Sequence, residues 1–380
     1  MKFKINKNEL LKNLNINIKA VSGSVINEIL KGIKIQVSKE KIILITSSSD
    51  LSIKTTINQN ENNFTVEEEG EIVIANANYF TEIIKKLSGK EVDIELTSGG
   101  QIQITSDKAD FSIPSRNSAN YPNLPIVDDT KSIKIESSNL LKIIKETIKS
   151  AGVRDARPIF NGIHLVANNQ FIKGITTDSH RLAQKIIYFN EPKEKISDIN
   201  VVIPTHTLNE LVPLLNSNET VKLQFDENYL VVDLNQTVVY SQLLIGDFPE
   251  TDRLIPNETN TKISVEVKEL LPVIERAHLA ARQSNNITIT FNLKENKLSI
   301  STRQSESGTF EEDVILKSYE GEDLLISMNP EFIKDAISSL AQEVVEFSFT
   351  GQLKPFTIRP NDSQDNNDLQ LITPVRTINN

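Results

Sequence analysis

The sequence predicts an α+β protein built of three repeated units, each with two helices packed on antiparallel sheet. Three observations carry this. Helix-like segments recur at a fixed offset: Glu9-Leu10-Leu11-Lys12, Asn139-Leu140-Leu141-Lys142 and Glu269-Leu270-Leu271-Pro272 stand 130 residues apart, and Gly32-Ile33 returns at the same offset as Gly162-Ile163. Self-similarity at a constant period is the mark of repeated units. The runs between helices alternate polar and apolar, as in Ile33-Lys34-Ile35-Gln36-Val37, Val92-Asp93-Ile94-Glu95-Leu96 and Val344-Val345-Glu346-Phe347-Ser348-Phe349. That period of two belongs to half-buried strands.

Taken in order, each third opens with an amphipathic helix and continues into strands. The first helix is read from Glu9 to Val21, with Leu10, Leu11, Leu14 and Ile18 facing one way and Lys12 and Lys19 the other. Its counterpart from Asn139 to Ala151 puts Leu140, Leu141, Ile144, Ile148 and Ala151 in one arc and Lys142, Lys145 and Lys149 opposite, at about 100° per residue. The third is less clean: Arg276 and Arg282 are basic, but Glu275 shares the side of Arg282. A second helix is expected in each third at Asn78–Ile84, Thr207–Val212 and Glu331–Ile337. Each third closes near a proline, at Tyr121-Pro122, Phe248-Pro249 and Thr373-Pro374. Boundaries are placed where Pro, Asn and Asp cluster, giving units of 1–125, 126–256 and 257–380.

Composition removes several classes of function. Of 380 residues none is Cys, so thiolate metal sites, thiol nucleophiles and disulfides are excluded. The four His (His164, His180, His206 and His278) show no HxxxH or HExxH spacing, and no metal site is expected. No GxxxxGK[ST] or GxGxxG loop occurs, so no cofactor is expected either. There is no signal-like N-terminus and no apolar run near the roughly 18 residues of a membrane span; a cytoplasmic protein without membrane contact is the expectation. Net charge is −10, which by itself argues against a nucleic-acid partner. Distribution counts for more. Lys12 with Lys142, and Lys19 with Lys149, are repeat-equivalent, while acidic residues gather in Glu67-Glu68-Glu69, Glu311-Glu312-Asp313 and Glu320 to Asp323. Lysines on a helix's wet side are ordinary solvation. Two equivalent helices sharing them would make a basic surface suited to phosphates without base readout.

One polar stretch stands out: Thr177-Asp178-Ser179-His180-Arg181-Leu182-Ala183, set between apolar runs. Catalytic triads converge from separated segments, and consecutive residues do not easily point at one another. Three other segments keep it company: Arg157-Pro158-Ile159-Phe160-Asn161-Gly162, Gly246-Asp247-Phe248-Pro249 through Arg253-Leu254-Ile255-Pro256, and Leu371-Ile372-Thr373-Pro374-Val375-Arg376-Thr377. In this order and spacing the chain resembles the bacterial DNA polymerase sliding clamps, the β subunits of the replicative polymerase, and most of all the Gram-positive branch. The resemblance covers essentially the whole chain.

The resemblance implies three clamp-type domains per protomer and a head-to-tail homodimeric ring of six domains that encircles double-stranded DNA without sequence preference. It implies a non-enzymatic processivity factor. Its partners would be the polymerase III α subunit, the clamp loader, other polymerases and mismatch-repair proteins, each bound through a short peptide with a Gln and two spaced apolar residues. Matched by motif, the peptide cleft would use Arg157, Ile159, Phe160, Thr177, Ser179, His180, Arg181, Leu182, Pro249, Arg253, Leu254, Thr373, Pro374, Val375 and Arg376, with Pro355 on the rim. The residue types agree. Phe160, Leu182, Leu254 and Val375 are apolar residues in turn-rich segments, where no core is expected to need them, and Arg181 and Arg376 are expected to meet peptide carbonyls or a carboxylate. Lys12, Lys19, Lys142, Lys145, Lys149, Arg276 and Arg282 would face DNA, and Phe111 and Ile113 would meet Leu279 and Ala280 of a second copy.

The pattern is broken at a few places. Ser24 stands where the family has an Arg that contacts DNA, Glu28 where it has a Pro, and His206 at an often basic position. These departures keep open a divergent clamp-like scaffold, or a second clamp from a mobile element, with weakened DNA contact. From another class, a hydrolase using Ser179, His180 and a carboxylate is opposed by their adjacency and by the lack of GxSxG.

Overall fold

The computed structural model describes residues 1–21, 27–60, 63–127, 131–153, 155–189, 198–216, 219–282, 287–303, 308–361 and 367–376. Ser24 therefore lies outside the described residues, as does the end of the first inter-unit boundary, 128–130. Six helices occur among the described residues: α1 (Lys7–Asn17), α2 (Ala77–Lys86), α3 (Ser137–Thr147), α4 (Thr205–Leu211), α5 (Val267–Arg282) and α6 (Pro330–Leu340). Two fall in each third, as the repeat predicts. No described helix is long and apolar enough to cross a membrane.

The chain folds into two compact units, Met1–Ser137 with Thr207–Leu243, and Ser138–His206 with Leu244–Asn380. The middle third is thus divided between them. In the first unit, thirteen antiparallel strands form one sheet in which Thr237–Ser241 of the middle third pairs with Leu51–Thr55 of the first. In the second unit, a nine-stranded sheet pairs Arg181–Lys185 with Asp368–Ile372, joining the middle and last thirds in the same way. A four-stranded sheet from Ile289–Lys294, Lys297–Thr302, Glu311–Val314 and Leu324–Met328 completes it.

In the first unit Leu10 and Leu14 of α1, with Phe80 and Ile84 of α2, pack on Ile33, Ile35, Ile94 and Ile104 of the strands. In the second unit Leu270 and Ile274 of α5, with Ile333 and Ile337 of α6, pack on Phe291, Phe347 and Phe349. Burying a large apolar side chain is worth about 1.5–3 kcal/mol, so these clusters are what hold the helices to the sheets.

The first two repeats share devices that explain their sequence likeness. A Cβ at Gly32 would stand 2.5 Å from the Ile74 carbonyl oxygen and 2.7 Å from Val73, and one at Gly162 would stand 2.7 Å from the Ile203 oxygen and 2.6 Å from Val202. Only glycine allows that strand approach. α1 and α3 are shorter than expected and end in 3₁₀ turns, Ile18–Ala20 and Ile148–Ser150. At both ends a buried threonine supplies the reason: Thr46 Oγ1 donates to the Asn17 carbonyl at 2.5 Å and Thr176 Oγ1 to the Thr147 carbonyl at 2.6 Å. α5 instead runs on to Arg282.

Candidate functional site

The Thr177–Leu182 stretch is a hairpin turn between strands Phe171–Thr177 and Arg181–Tyr188. The Asp178 Oδ1 atom accepts from the backbone N–H groups of His180 and Arg181, both at 3.0 Å. The Thr177 hydroxyl accepts from Ser179 N–H (3.1 Å) and donates to the Arg181 carbonyl (2.7 Å). Ser179 adopts φ 76°, a left-handed conformation that these bonds impose. Ser179 and His180 are thereby left exposed at the tip.

Beside the tip stands the short 3₁₀ turn Pro158–Asn161. Arg157 Nη2 donates to Ser179 Oγ at 2.6 Å, and its guanidinium lies 4.1 Å from the centre of the Phe160 ring. Asp155 takes the Arg157 backbone N–H and side chain; the backbone bond is the main reason its carboxyl sits below the usual range. Phe160 meets Phe248 edge to face at 6.1 Å, and Phe248 with Ile255 packs on Ile175, Leu182, Leu369 and Leu371. Ile159 is half-buried and Pro249 exposed on the neighbouring segments. Exposed Leu254 follows Arg253, whose Nε lies 3.6 Å from Glu250 in a solvated pair.

The final segment is held on the same unit. Thr373 N–H donates to the His180 carbonyl (2.9 Å) and Val375 N–H to the Ser327 carbonyl (2.8 Å). Thr373, Pro374 and Val375 are half-buried and Arg376 is exposed. Pro355, whose carbonyl accepts from Thr350 Oγ1 at 3.2 Å, leads into Phe356–Pro360, the strand beside Asp368–Ile372.

Several expected roles need correction. Leu182 and Phe160 are 1% and 6% exposed; both belong to packed apolar layers, because Leu182 lies inside a strand and Phe160 under Arg157. Neither is a free apolar residue of a turn. Arg181 is not available for a ligand carboxylate either. Its Nε is 3.0 Å from Asp178 and its Nη1 2.7 Å from Asp335 of α6, and the guanidinium lies 4.4 Å from the Phe332 ring centre. Ile113, at 4% exposure, points into the core of the first unit, with Phe111 packed at its margin, so Ile113 is no surface contact. Their strand, Ala109–Arg116, pairs along Gln101–Ser106 on one side and only at Ser115 and Arg116 on the other. Leu279 is exposed on α5 and Ala280 half-buried.

The basic residues divide into two sets. Lys12, Lys142, Lys145, Lys149 and Arg282 are exposed. Lys19 is 3.0 Å from Glu210, and Arg276 makes two bonds to Glu312 at 2.9 and 2.6 Å, so acids already answer these two charges. Glu28 pairs with Lys31 and Arg116, and His206 is exposed on α4.

Comparison with known proteins accounts for the whole chain. The family models "DNA polymerase III beta subunit" match by their N-terminal domain at residues 1–125, their central domain at 134–250 and their C-terminal domain at 252–376. The chain belongs to the DNA polymerase III β subunit family. The beta sliding clamps of Bacillus subtilis and Streptococcus pneumoniae are 35% and 34% identical to it, over 99% of this chain and 100% and 99% of theirs. The crystal structure of the DNA polymerase III beta chain from S. pneumoniae superposes with a TM-score of 0.95 at 34% identity, covering 99% of this chain and 100% of that one. The B. subtilis sliding clamp structure gives 0.94 at 34%, covering 99% of each.

As a β subunit, the chain has the three clamp domains of its family, with antiparallel sheets and paired helices. Sequence reasoning missed Phe248, Phe332 and Asp335, which touch the residues it named, and His164, which stacks on Phe248. For Phe248 a signal existed, since it directly precedes Pro249. For Asp335 none did, because a helical aspartate 154 positions from Arg181 looks like surface.

Proposed function

We propose that this protein is a non-enzymatic sliding clamp: a homodimer that encircles duplex DNA and tethers the replicative polymerase, the clamp loader and repair proteins through a peptide cleft. Support comes from full-length similarity to proteins named beta sliding clamps in B. subtilis and S. pneumoniae. The observation that carries the cleft is local. One compact unit brings the Ser179–His180 tip, Arg157, the Phe160–Phe248–Leu182 floor, Leu254 and the Thr373–Arg376 tail onto connected segments. An apolar floor with a few polar groups at its edge suits an extended peptide with apolar anchors. The exposed lysines of α1 and α3, on a chain of charge −10, suit loose phosphate contact. We assign the domains to 1–125, 126–256 and 257–380, and place the protein in the cytoplasm.

The test is retention on DNA. The protein is loaded on nicked circular DNA with a clamp loader and ATP, washed in high salt, and the circle is then cut. Retention lost on linearisation establishes encirclement. A solution dimer that is never retained by a loader active on another clamp would refute it.

A further inference from the structure

Phe248 packs against the apolar cluster of the proposed cleft, and its ring is also met by a residue that no motif names. His164, from strand Gly162–Ala167, lies face to face with Phe248, with ring centres 4.5 Å apart and planes at 28°. On the other side Phe248 meets Phe160 edge-on, and it packs against the layer that contains Leu182. The chain of contact runs from His164 through Phe248 and Phe160 to Arg157, and from there to Ser179.

The imidazole is itself oriented. Its Nε2 atom is 2.6 Å from Asn200 Oδ1 on the adjacent strand Ile199–Pro204. A carbonyl oxygen only accepts, so Nε2 carries the proton and Nδ1 the lone pair. Nδ1 is buried without a hydrogen-bond partner among the described residues.

We propose that His164 is a positioning residue for the peptide cleft: its neutral ring holds Phe248 flat and so sets the apolar wall against which a peptide anchor rests. This inference rests on the cleft reading above. A second proton would have to go on Nδ1, where a buried N–H finds no acceptor. The charged group facing the ring from strand Phe171–Thr177 is Lys173, whose Nζ is 3.4 Å from Asp252 on the 244–256 segment; Asn200, from the other neighbouring strand, is neutral. Burial first, then Lys173, pushes the imidazole below its ordinary value, against the Asn200 bond. The ring is therefore neutral at physiological pH, and acidification disturbs the stack.

The test uses the full chain and a fluorescent peptide with a Gln and two spaced apolar residues, titrated by anisotropy between about pH 7.5 and about pH 5. His164→Gln keeps an amide near Asn200 but loses the ring; it is expected to bind roughly two- to tenfold more weakly at neutral pH. His164→Phe keeps a flat ring that cannot titrate; it is expected to restore the affinity and to lose less binding than the parent on acidification. His180 is present in all three proteins, so the comparison isolates position 164. Equal affinities and parallel pH profiles for the three would overturn the proposal while leaving the cleft intact. A parent that binds no peptide at any pH would overturn both.

Discussion

Arg181 and Asp335 are joined across 154 residues of sequence, Nη1 to Oδ2 at 2.7 Å, tying the strand that follows the hairpin tip to α6. The arginine side chain is 11% exposed and also holds Asp178, so its charge is spent on architecture. Removing Asp335 leaves the guanidinium with Asp178 as its remaining carboxylate and takes away one charge-assisted bond. Asp335→Ala is expected to cost about 2 kcal/mol in chemical denaturation. A loss below about 0.5 kcal/mol, the scale of a surface substitution, would show that the pair does not carry the turn.

Leucines 182 and 254 belong to the same candidate cleft and should behave differently. Leu182 is 1% exposed, so Leu182→Ala is a core truncation costing about 2–5 kcal/mol. Leu254 is 53% exposed, and Leu254→Ala is expected to leave the melting temperature unchanged while weakening peptide binding about tenfold. Calorimetry and anisotropy on the two variants separate packing from binding.

Glu146 of α3 and Asp368 share one ammonium, that of Lys185, at 3.0 and 2.6 Å, with all three side chains less than a fifth exposed. Burial raises the Glu146 carboxyl above its ordinary 4.5, and the lysine only partly offsets this. A raised acid favours the fold when protonated and loses that contribution as pH rises through its folded pKa. Glu146→Gln is therefore expected to be more stable than the parent at pH 7, with the gain shrinking on acidification and gone below the unfolded value. Urea midpoints measured across that range check the sign.

DNA contact should follow the division between exposed and paired cations. Replacing Lys12, Lys142, Lys145 or Lys149 by Ala is expected to reduce the slope of log K against log salt by about one each. Lys19→Ala and Arg276→Ala are expected to change it less, since Glu210 and Glu312 already neutralise those groups. Equal slopes for both sets would mean that the ion pairs open on DNA.

Repeat architecture was legible in the sequence because a constant offset survives where side chains differ, and because close approach demands Gly32 and Gly162. The TDSHR stretch was legible only as a family likeness, and the structure explains why. Its backbone turn is a repeat feature: Ser48 Oγ accepts from Leu51 N–H at 3.1 Å just as Asp178 Oδ1 accepts from Arg181 N–H at 3.0 Å, 130 residues later. The turn is common scaffold, and only the residues placed on it differ. Whether Leu182 lies in a wall or a turn depends on its strand partner Leu371, 189 residues away, which local pattern cannot supply.

The division of the middle third separates what was copied from what coheres. The repeats come in threes, but the ladders Thr237–Ser241 to Leu51–Thr55 and Arg181–Lys185 to Asp368–Ile372 stitch them into two bodies. A third excised at residues 126 and 256 would carry two severed edges of unpaired amides, an invitation to aggregation. Ancestry can be counted in one number and melting in another: a calorimetric trace of the whole chain would resolve into two transitions, neither of them the heirloom unit.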